Sequence, residues 1–160
     1  MKIPYYRTKV GLISIKYGRQ KSKCIKYGYP PQPYTVSELI EWAIAQPIFH
    51  TLYDAWVKSG YDKWLVPSFD RINDYEGYHF SNMQILTWRE NSQKFRDNIM
   101  NGINNKQNKA VLQYTVDGKF VEMYHSMRHA ERTTGIWHND ISNACSGKLN
   151  KAGGFIWKYY

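Results

Sequence analysis

Pro67-Ser68-Phe69-Asp70-Arg71-Ile72-Asn73-Asp74, followed by Gly77-Tyr78, Asn82-Met83-Gln84 and Trp88-Arg89-Glu90-Asn91, is the run on which the reading of this chain turns. Trp64 to Ile72 is rich in apolar and β-forming residues and predicts a strand, with Pro67 at its edge or at a kink. Asn73-Asp74-Tyr75-Glu76-Gly77 is turn chemistry, and Met83 to Leu86 predicts a second short strand. Thr87-Trp88-Arg89-Glu90 is a capping box, so a helix is expected from Trp88 to about Met100. Strand, loop, strand and helix place Asp70 at a strand end and Asn91 one turn into the helix. If the two elements pack together, both side chains converge near a helix N-terminus. A carboxylate and an amide oxygen are hard-oxygen donors that suit Mg²⁺, with water and phosphate in the remaining positions. Spacing alone reads them more simply, as a turn Asp and a polar helix residue.

Working outward, Tyr29-Pro30-Pro31-Gln32-Pro33-Tyr34 is a Pro-rich stop that reads as a linker. Thr35-Val36-Ser37-Glu38 is a second capping box, opening a helix through about Gln46. Pro47 starts another helical stretch, in which Phe49, Leu52, Tyr53, Trp56 and Val57 recur at spacings of three and four as core residues, and Gly60 ends it. Downstream, residues 101–109 hold four Asn and a single apolar side chain, the composition of a linker. Val111 to Val116 and Lys119 to Tyr124 flank Asp117-Gly118, a hairpin signal. Ser126 caps a short helix over Met127 to Thr134, closed by Gly135, and a second helix spans about Asn139 to Ser146. Helix, Gly-bearing turn and helix is the pattern of a helix-turn-helix reader. Residues 153–159 read as a strand returning to the hairpin.

The 160 residues suffice for one ordinary domain or two small ones, and 42% hydrophobic with 22% charged residues is usual for a folded chain. No apolar run reaches the length needed to cross a bilayer, and the N-terminus lacks a secretory-signal pattern. Cys24 and Cys145 cannot build a disulfide framework or a Cys-rich zinc site, and read as reduced thiols of a cytoplasmic protein. The net charge of +9 is uneven. Residues 1–37 contain eight Lys or Arg and no acid, residues 38–90 balance at −4, and the tail is basic again. Arg7, Lys9, Lys16, Arg19, Lys21, Lys23 and Lys26, interleaved with tyrosines, predict an arm that neutralises phosphates and packs rings on sugars or bases.

The run from Pro67 to Asn91 resembles the ββα-metal motif of HNH endonucleases, and more narrowly the Ser-x-Asp-Arg-Ile variant of phage homing endonucleases. The tail has its own resemblance. Ala110-Val111-Leu112-Gln113-Tyr114, Asp117-Gly118, Ser126, Ala130, Gly135-Ile136, Ile141-Ser142, Gly147-Lys148 and Gly153-Gly154-Phe155-Ile156-Trp157 are similar to the intron-encoded nuclease repeat, or NUMOD helix-turn-helix. The resemblance implies that Asp70 and Asn91 ligate one Mg²⁺ or Mn²⁺ ion per site, and that Asn82 braces the loop. The ion would bridge the scissile phosphate and stabilise the leaving 3′ oxygen. One departure matters: where most HNH enzymes carry a base histidine, this sequence has Arg71. A guanidinium cannot accept the proton, although it can clamp a phosphate oxygen. Water activation would then fall to His79, close in sequence, to His50 on the second upstream helix, to a tyrosine or to a second water.

On the tail's second helix, Trp137, His138, Asn139, Ser142 and Asn143 are placed to meet base edges, and Lys148, Asn150 and Lys151 suit phosphates. These readings assemble into an α+β protein. Its expected parts are a basic aromatic DNA-binding arm (1–29), helices plus the ββα nuclease (30–100), a linker (101–109) and a helix-turn-helix module (110–160). The expected function is site-specific cleavage of double-stranded DNA by a monomer, nicking one strand, with no membrane and no protein partner. Two alternatives are an inactive HNH relic that binds DNA, which Arg71 keeps open, and an RNA-binding protein, which the aromatic arm keeps open.

Overall fold

The computed structural model describes residues 3–160. The chain divides into two compact units, Met1–Lys94 and Phe95–Tyr160, each with its own core. Helices and antiparallel strands occupy separate stretches of the chain, which makes the class α+β.

The first unit opens with a 3₁₀ turn at Tyr5–Arg7 and then α1, Lys9–Tyr27. The segment expected as a DNA-tracking arm is therefore a packed helix, and the sequence pattern explains why. Leu12, Ile13, Gln20 and Cys24 fall on one face and are buried, whereas Arg19, Lys21, Lys23 and Lys26 remain exposed. Thr8 caps the helix by accepting from the Gly11 amide at 3.0 Å. A Cβ at Gly11 would run into the Tyr5 carbonyl oxygen, so only glycine lets the 3₁₀ turn fold back onto the helix. The interleaved aromatics divide in the same way: Tyr17 and Tyr29 pack against the core, while Tyr5, Tyr6 and Tyr27 are exposed.

α2 (Val36–Ile44) begins at the complete capping box of Thr35 and Glu38, and α3 (Pro47–Lys58) begins at Pro47. Leu39, Ala43, Phe49 and Trp56 point inward and meet Phe69, Met83 and Ile85 of a two-stranded antiparallel sheet, β1 (Pro67–Arg71) and β2 (Met83–Thr87). β1 is shorter than the expected Trp64–Ile72. The Asp62 carboxylate accepts from the Trp64 amide, making a turn, and the carbonyls of Trp64 and Val66 accept from the first amides of α4 (Trp88–Met100). α4 starts where its capping box placed it, with the Glu90 carboxylate accepting from the Thr87 amide at 2.7 Å.

The second unit contains β3 (Val111–Tyr114), β4 (Phe120–Tyr124), α5 (Met127–Thr134), α6 (His138–Cys145) and β5 (Ile156–Tyr159), with the antiparallel strand order β4-β3-β5. Val111, Tyr124, Ala130, Ile141 and Trp157 form its core. The hairpin strands end earlier than expected: the register shifts between Gln113 and Tyr114, and Thr115 closes the turn, its carbonyl accepting from the Gly118 amide and its amide donating to the Lys119 carbonyl. β5 likewise starts three residues late: Gly153 and Gly154, both at positive φ, form a tight turn bridged by Ala152 and Phe155.

A histidine pair sits beside this core. His125 and His129 stack with ring centroids 4.1 Å apart, and His125 Nε2 and His129 Nδ1 are buried without hydrogen-bond partners. At Gly102, a Cβ would lie 2.8 Å from His125 Nδ1, and the backbone there has φ +72. Burial pushes the His125 pKa below its ordinary 6.5, helped by His129 and Arg132 and opposed by a bond to the Met100 backbone. The unfolded chain therefore takes up this proton first as the pH falls. The second unit is expected to hold its full stability above about pH 6.5 and to lose it progressively below that. Melts at pH 7.5 and 5.5 check this, and His125→Phe should flatten the difference.

Candidate active site

Alternation along β1 decides which side chains can meet. Phe69 faces the core, and Ser68 and Asp70 face the other way, beneath α4. Asn91 Nδ2 donates to Ser68 Oγ at 2.8 Å, and Lys94, one helical turn on, places Nζ 3.1 Å from Asp70 Oδ2. Two rungs thus tie strand to helix, spaced i, i+2 on one and i, i+3 on the other. Gln84, the register partner of Asp70 on β2, adds a third contact by donating Nε2 to Asp70 Oδ2 at 2.9 Å. Lys94 Nζ also donates to the Arg71 carbonyl at 2.8 Å.

Asp70 is 8% exposed. Gln84 and Lys94 share one carboxylate oxygen, and Oδ1 takes no part in either bond. Because the Asn91 nitrogen is committed to Ser68, its carbonyl oxygen is the end of the amide left for a ligand. One carboxylate oxygen and one amide oxygen fit a hard divalent cation. Among the described residues no three His, Cys, Asp or Glu side chains converge, so such an ion would complete its shell with water and phosphate.

Asn82 is buried, and all its side-chain bonds go to the loop backbone. Its Oδ1 accepts from the Asn73 amide at 2.8 Å, and its Nδ2 donates to the carbonyls of Asn73 and Gly77 at 3.1 and 3.0 Å. The side chain closes the 73–77 loop on itself.

Arg71 turns the other way. Its guanidinium lies 4.4 Å from the centroid of the Tyr29 ring and 5.2 Å from that of Tyr78, and Nη1 donates to the Glu76 carbonyl. Burial pushes the Tyr78 phenol up to about 12, against the pull of that same guanidinium. Neither candidate histidine has an uncommitted nitrogen. His79 Nε2 is 3.1 Å from Glu76 Oε2, which can only accept, and Nδ1 faces Ser81 Oγ at 2.9 Å. His50 Nε2 donates to the Ile44 carbonyl and Nδ1 accepts from Lys9 Nζ, both at 2.7 Å. Those bonds hold His50 among the upstream helices, with no contact to Asp70.

The cations of the 3₁₀ turn and α1 divide similarly. Arg7 stacks over Tyr61 at 4.0 Å, and Lys9 is held by His50 and the Tyr53 ring. Lys16 is half-buried, and desolvation, with Arg19 and Lys23 nearby, lowers its pKa to about 8. Arg19, Lys21, Lys23 and Lys26 face solvent. In the second unit Trp137, Asn139, Lys148, Asn150 and Lys151 are exposed. His138 instead pairs with Glu131 Oε2 at 2.9 Å, Ser142 Oγ approaches the Tyr159 hydroxyl, and Asn143 is half-buried. Trp137 precedes α6 as its N-cap residue.

Sequence reasoning does not single out Lys94, and it places Ser68 and Gln84 within the motif without giving them a role. The i, i+3 spacing from Asn91 could have flagged Lys94, whereas Gln84 needs the strand register.

Residues 109–144 match the NUMOD1 domain. Two proteins of Acanthamoeba polyphaga mimivirus, each described as an uncharacterized HNH endonuclease, are similar over roughly half of this chain. One is 32% identical over 92 residues (57% of this chain, 28% of the relative), and the other 30% identical over 90 residues (55% and 23%). The chain thus spans about a quarter of the length of the curated relatives it matches. Among solved structures, the HNH homing endonuclease I-HmuI aligns with a TM-score of 0.32 and 14% identity, covering 59% of this chain and 58% of that one. The chain is therefore one similar to HNH endonucleases over more than half its length, with a C-terminal match to the NUMOD1 domain.

Proposed function

We propose that the chain is a DNA endonuclease of the HNH homing type, and that it nicks double-stranded DNA at a specific site as a monomer. The observation that carries this is the facing of β1 and α4. There Asp70 and Asn91 offer a carboxylate and an amide oxygen on one surface, in a chain whose second unit matches NUMOD1. Asp70 and Asn91 would hold one Mg²⁺ or Mn²⁺, which when bound supplies Lewis-acid charge to the phosphate and the leaving 3′ oxygen. Gln84 and Ser68 fix the rotamers of the two ligands, and Asn82 keeps the loop beside them in shape. In the reaction a water oxygen bonds to phosphorus and the bond to the 3′ oxygen breaks. One water proton ends on that oxygen, giving a 5′-phosphate and a 3′-hydroxyl.

Arg19, Lys21, Lys23 and Lys26 on α1 would contact phosphates, with Lys148 and Lys151 doing the same in the second unit. Trp137 and Asn139, exposed at the start of α6, would meet the bases. Two readers on one chain lengthen the recognised site through effective concentration. A single site of one carboxylate and one amide favours a nick over a concerted double-strand break.

A second reading, a non-catalytic DNA-binding relic, is favoured by the engagement of Arg71, His79 and His50 elsewhere. A plasmid carrying DNA from the gene's own neighbourhood separates the two. Supercoiled substrate is expected to convert to open circle with Mg²⁺ or Mn²⁺ and to stay intact in chelator. Tight binding without nicking in any metal would establish the relic instead.

A further inference from the structure

Two cations, Arg71 and Lys94, stand close to Asp70 and face different partners. Arg71 sits where the motif would bring a side chain to the reacting centre, but its guanidinium lies against the Tyr29 and Tyr78 rings, with Nη1 donating to the Glu76 carbonyl. Lys94 lies within ion-pair reach of Asp70. It occupies the surface that carries both proposed ligands, three residues past Asn91 and on the same face of α4. Its ammonium is anchored at two points, Asp70 Oδ2 at 3.1 Å and the Arg71 carbonyl at 2.8 Å. An ammonium has three donors, and two are used here, which leaves a third. The side chain is 24% exposed, so that third donor is open to an incoming oxyanion.

We infer that Lys94 is a further catalytic residue, whose ammonium shares Asp70 with the divalent ion and donates a hydrogen bond to a non-bridging oxygen of the scissile phosphate. This rests on the nuclease reading and adds to it a cation in direct contact with Asp70. Two opposed consequences follow from placing a fixed positive charge beside a metal ligand. A positive charge a few ångströms from the ion weakens metal binding, because like charges repel in a partly screened site. The same charge stabilises the negative charge that grows on phosphate oxygens as the bond to the 3′ oxygen breaks. A residue that merely propped Asp70 in place would have one consequence only: its loss would loosen the ligand, weakening metal binding and slowing cleavage together.

The experiment measures both quantities on the full chain with Lys94→Met and Lys94→Gln. The first removes charge and donor, and the second removes charge but keeps a donor for Asp70 or the Arg71 carbonyl. Mn²⁺ affinity is read by calorimetry without DNA, and nicking is read on the neighbourhood plasmid at saturating Mn²⁺. Both variants are expected to bind Mn²⁺ roughly tenfold more tightly and to nick about a hundredfold more slowly. Weaker Mn²⁺ binding in Lys94→Met, with recovery of both quantities in Lys94→Gln, would make Lys94 a prop and overturn the assignment. Wild-type values for both quantities in both variants would overturn it as well. A wild-type protein that neither binds Mn²⁺ nor nicks would overturn the nuclease reading, and this assignment with it.

Discussion

Asp70→Asn is expected to abolish metal-dependent nicking, lowering the rate by about 10³-fold or more, because it removes the only carboxylate among the proposed ligands. The fold should survive. An asparagine oxygen can still accept from Gln84 Nε2 and Lys94 Nζ, and Lys94 keeps its bond to the Arg71 carbonyl. The cost in stability is the loss of one charge-assisted contact on a partly exposed lysine, about 1–2 kcal/mol. DNA binding should persist, since the exposed cations of α1 and the second unit are untouched. Open-circle formation, Mn²⁺ calorimetry and DNA anisotropy on the same preparation check these three statements. Nicking by Asp70→Asn within tenfold of the wild type would place the ion elsewhere. Asp70→Ala should be equally inactive and less stable, because it also strands the Gln84 donor and the Lys94 ammonium.

What the sequence revealed of this site follows from the range of the interactions involved. The capping box at Thr87–Glu90 is a local device, closed within four residues, so the start of α4 and the place of Asn91 were legible from the chain alone. The turn at 73–77 was legible from its Asn, Asp and Gly for the same reason. The direction of Arg71 was not. It depends on Tyr29, forty-two residues upstream, and on Tyr78 across the loop. No local rule states which ring a guanidinium will find. The contact of Gln84 with Asp70 depends on register, which the strand sequences by themselves leave free by a residue either way.

The helical packing of the first segment was hidden for a related reason. Its charge is conspicuous, and a run of cations with tyrosines reads as an arm. The buried stripe of Ile13, Gln20 and Cys24 is weakly apolar, and its partners, Tyr34 and Met83, lie far along the chain. Only their meeting turns the segment into a helix of the first unit. It also holds Arg7 and Lys9 against the aromatic rings of the unit and leaves Arg19, Lys21, Lys23 and Lys26 exposed.

Phe49→Ala is expected to destabilise the first unit by about 3–5 kcal/mol, since it empties a fully buried aromatic site. Phe49 is 0% exposed, stacks on Phe69 with centroids 6.3 Å apart, and touches His50 and Tyr53 on its own helix. Phe69 precedes Asp70 on β1, so Phe49 supports from the core side the strand that offers the carboxylate to α4. The loss should therefore appear first as a lowered urea midpoint and a lower temperature at which nicking fails. The rate at low temperature should fall far less, because the ligands stay in place while the unit is folded. Two separate cores give the sharper check. Phe49→Ala should move the unfolding transition reported by Trp42 and Trp56 and leave that reported by Trp157 in place, whereas Ile141→Ala, at a fully buried position of the second core, should do the reverse. A loss below about 1 kcal/mol for Phe49→Ala would mean that the site collapses around the missing ring, which a close-packed aromatic cluster does not allow.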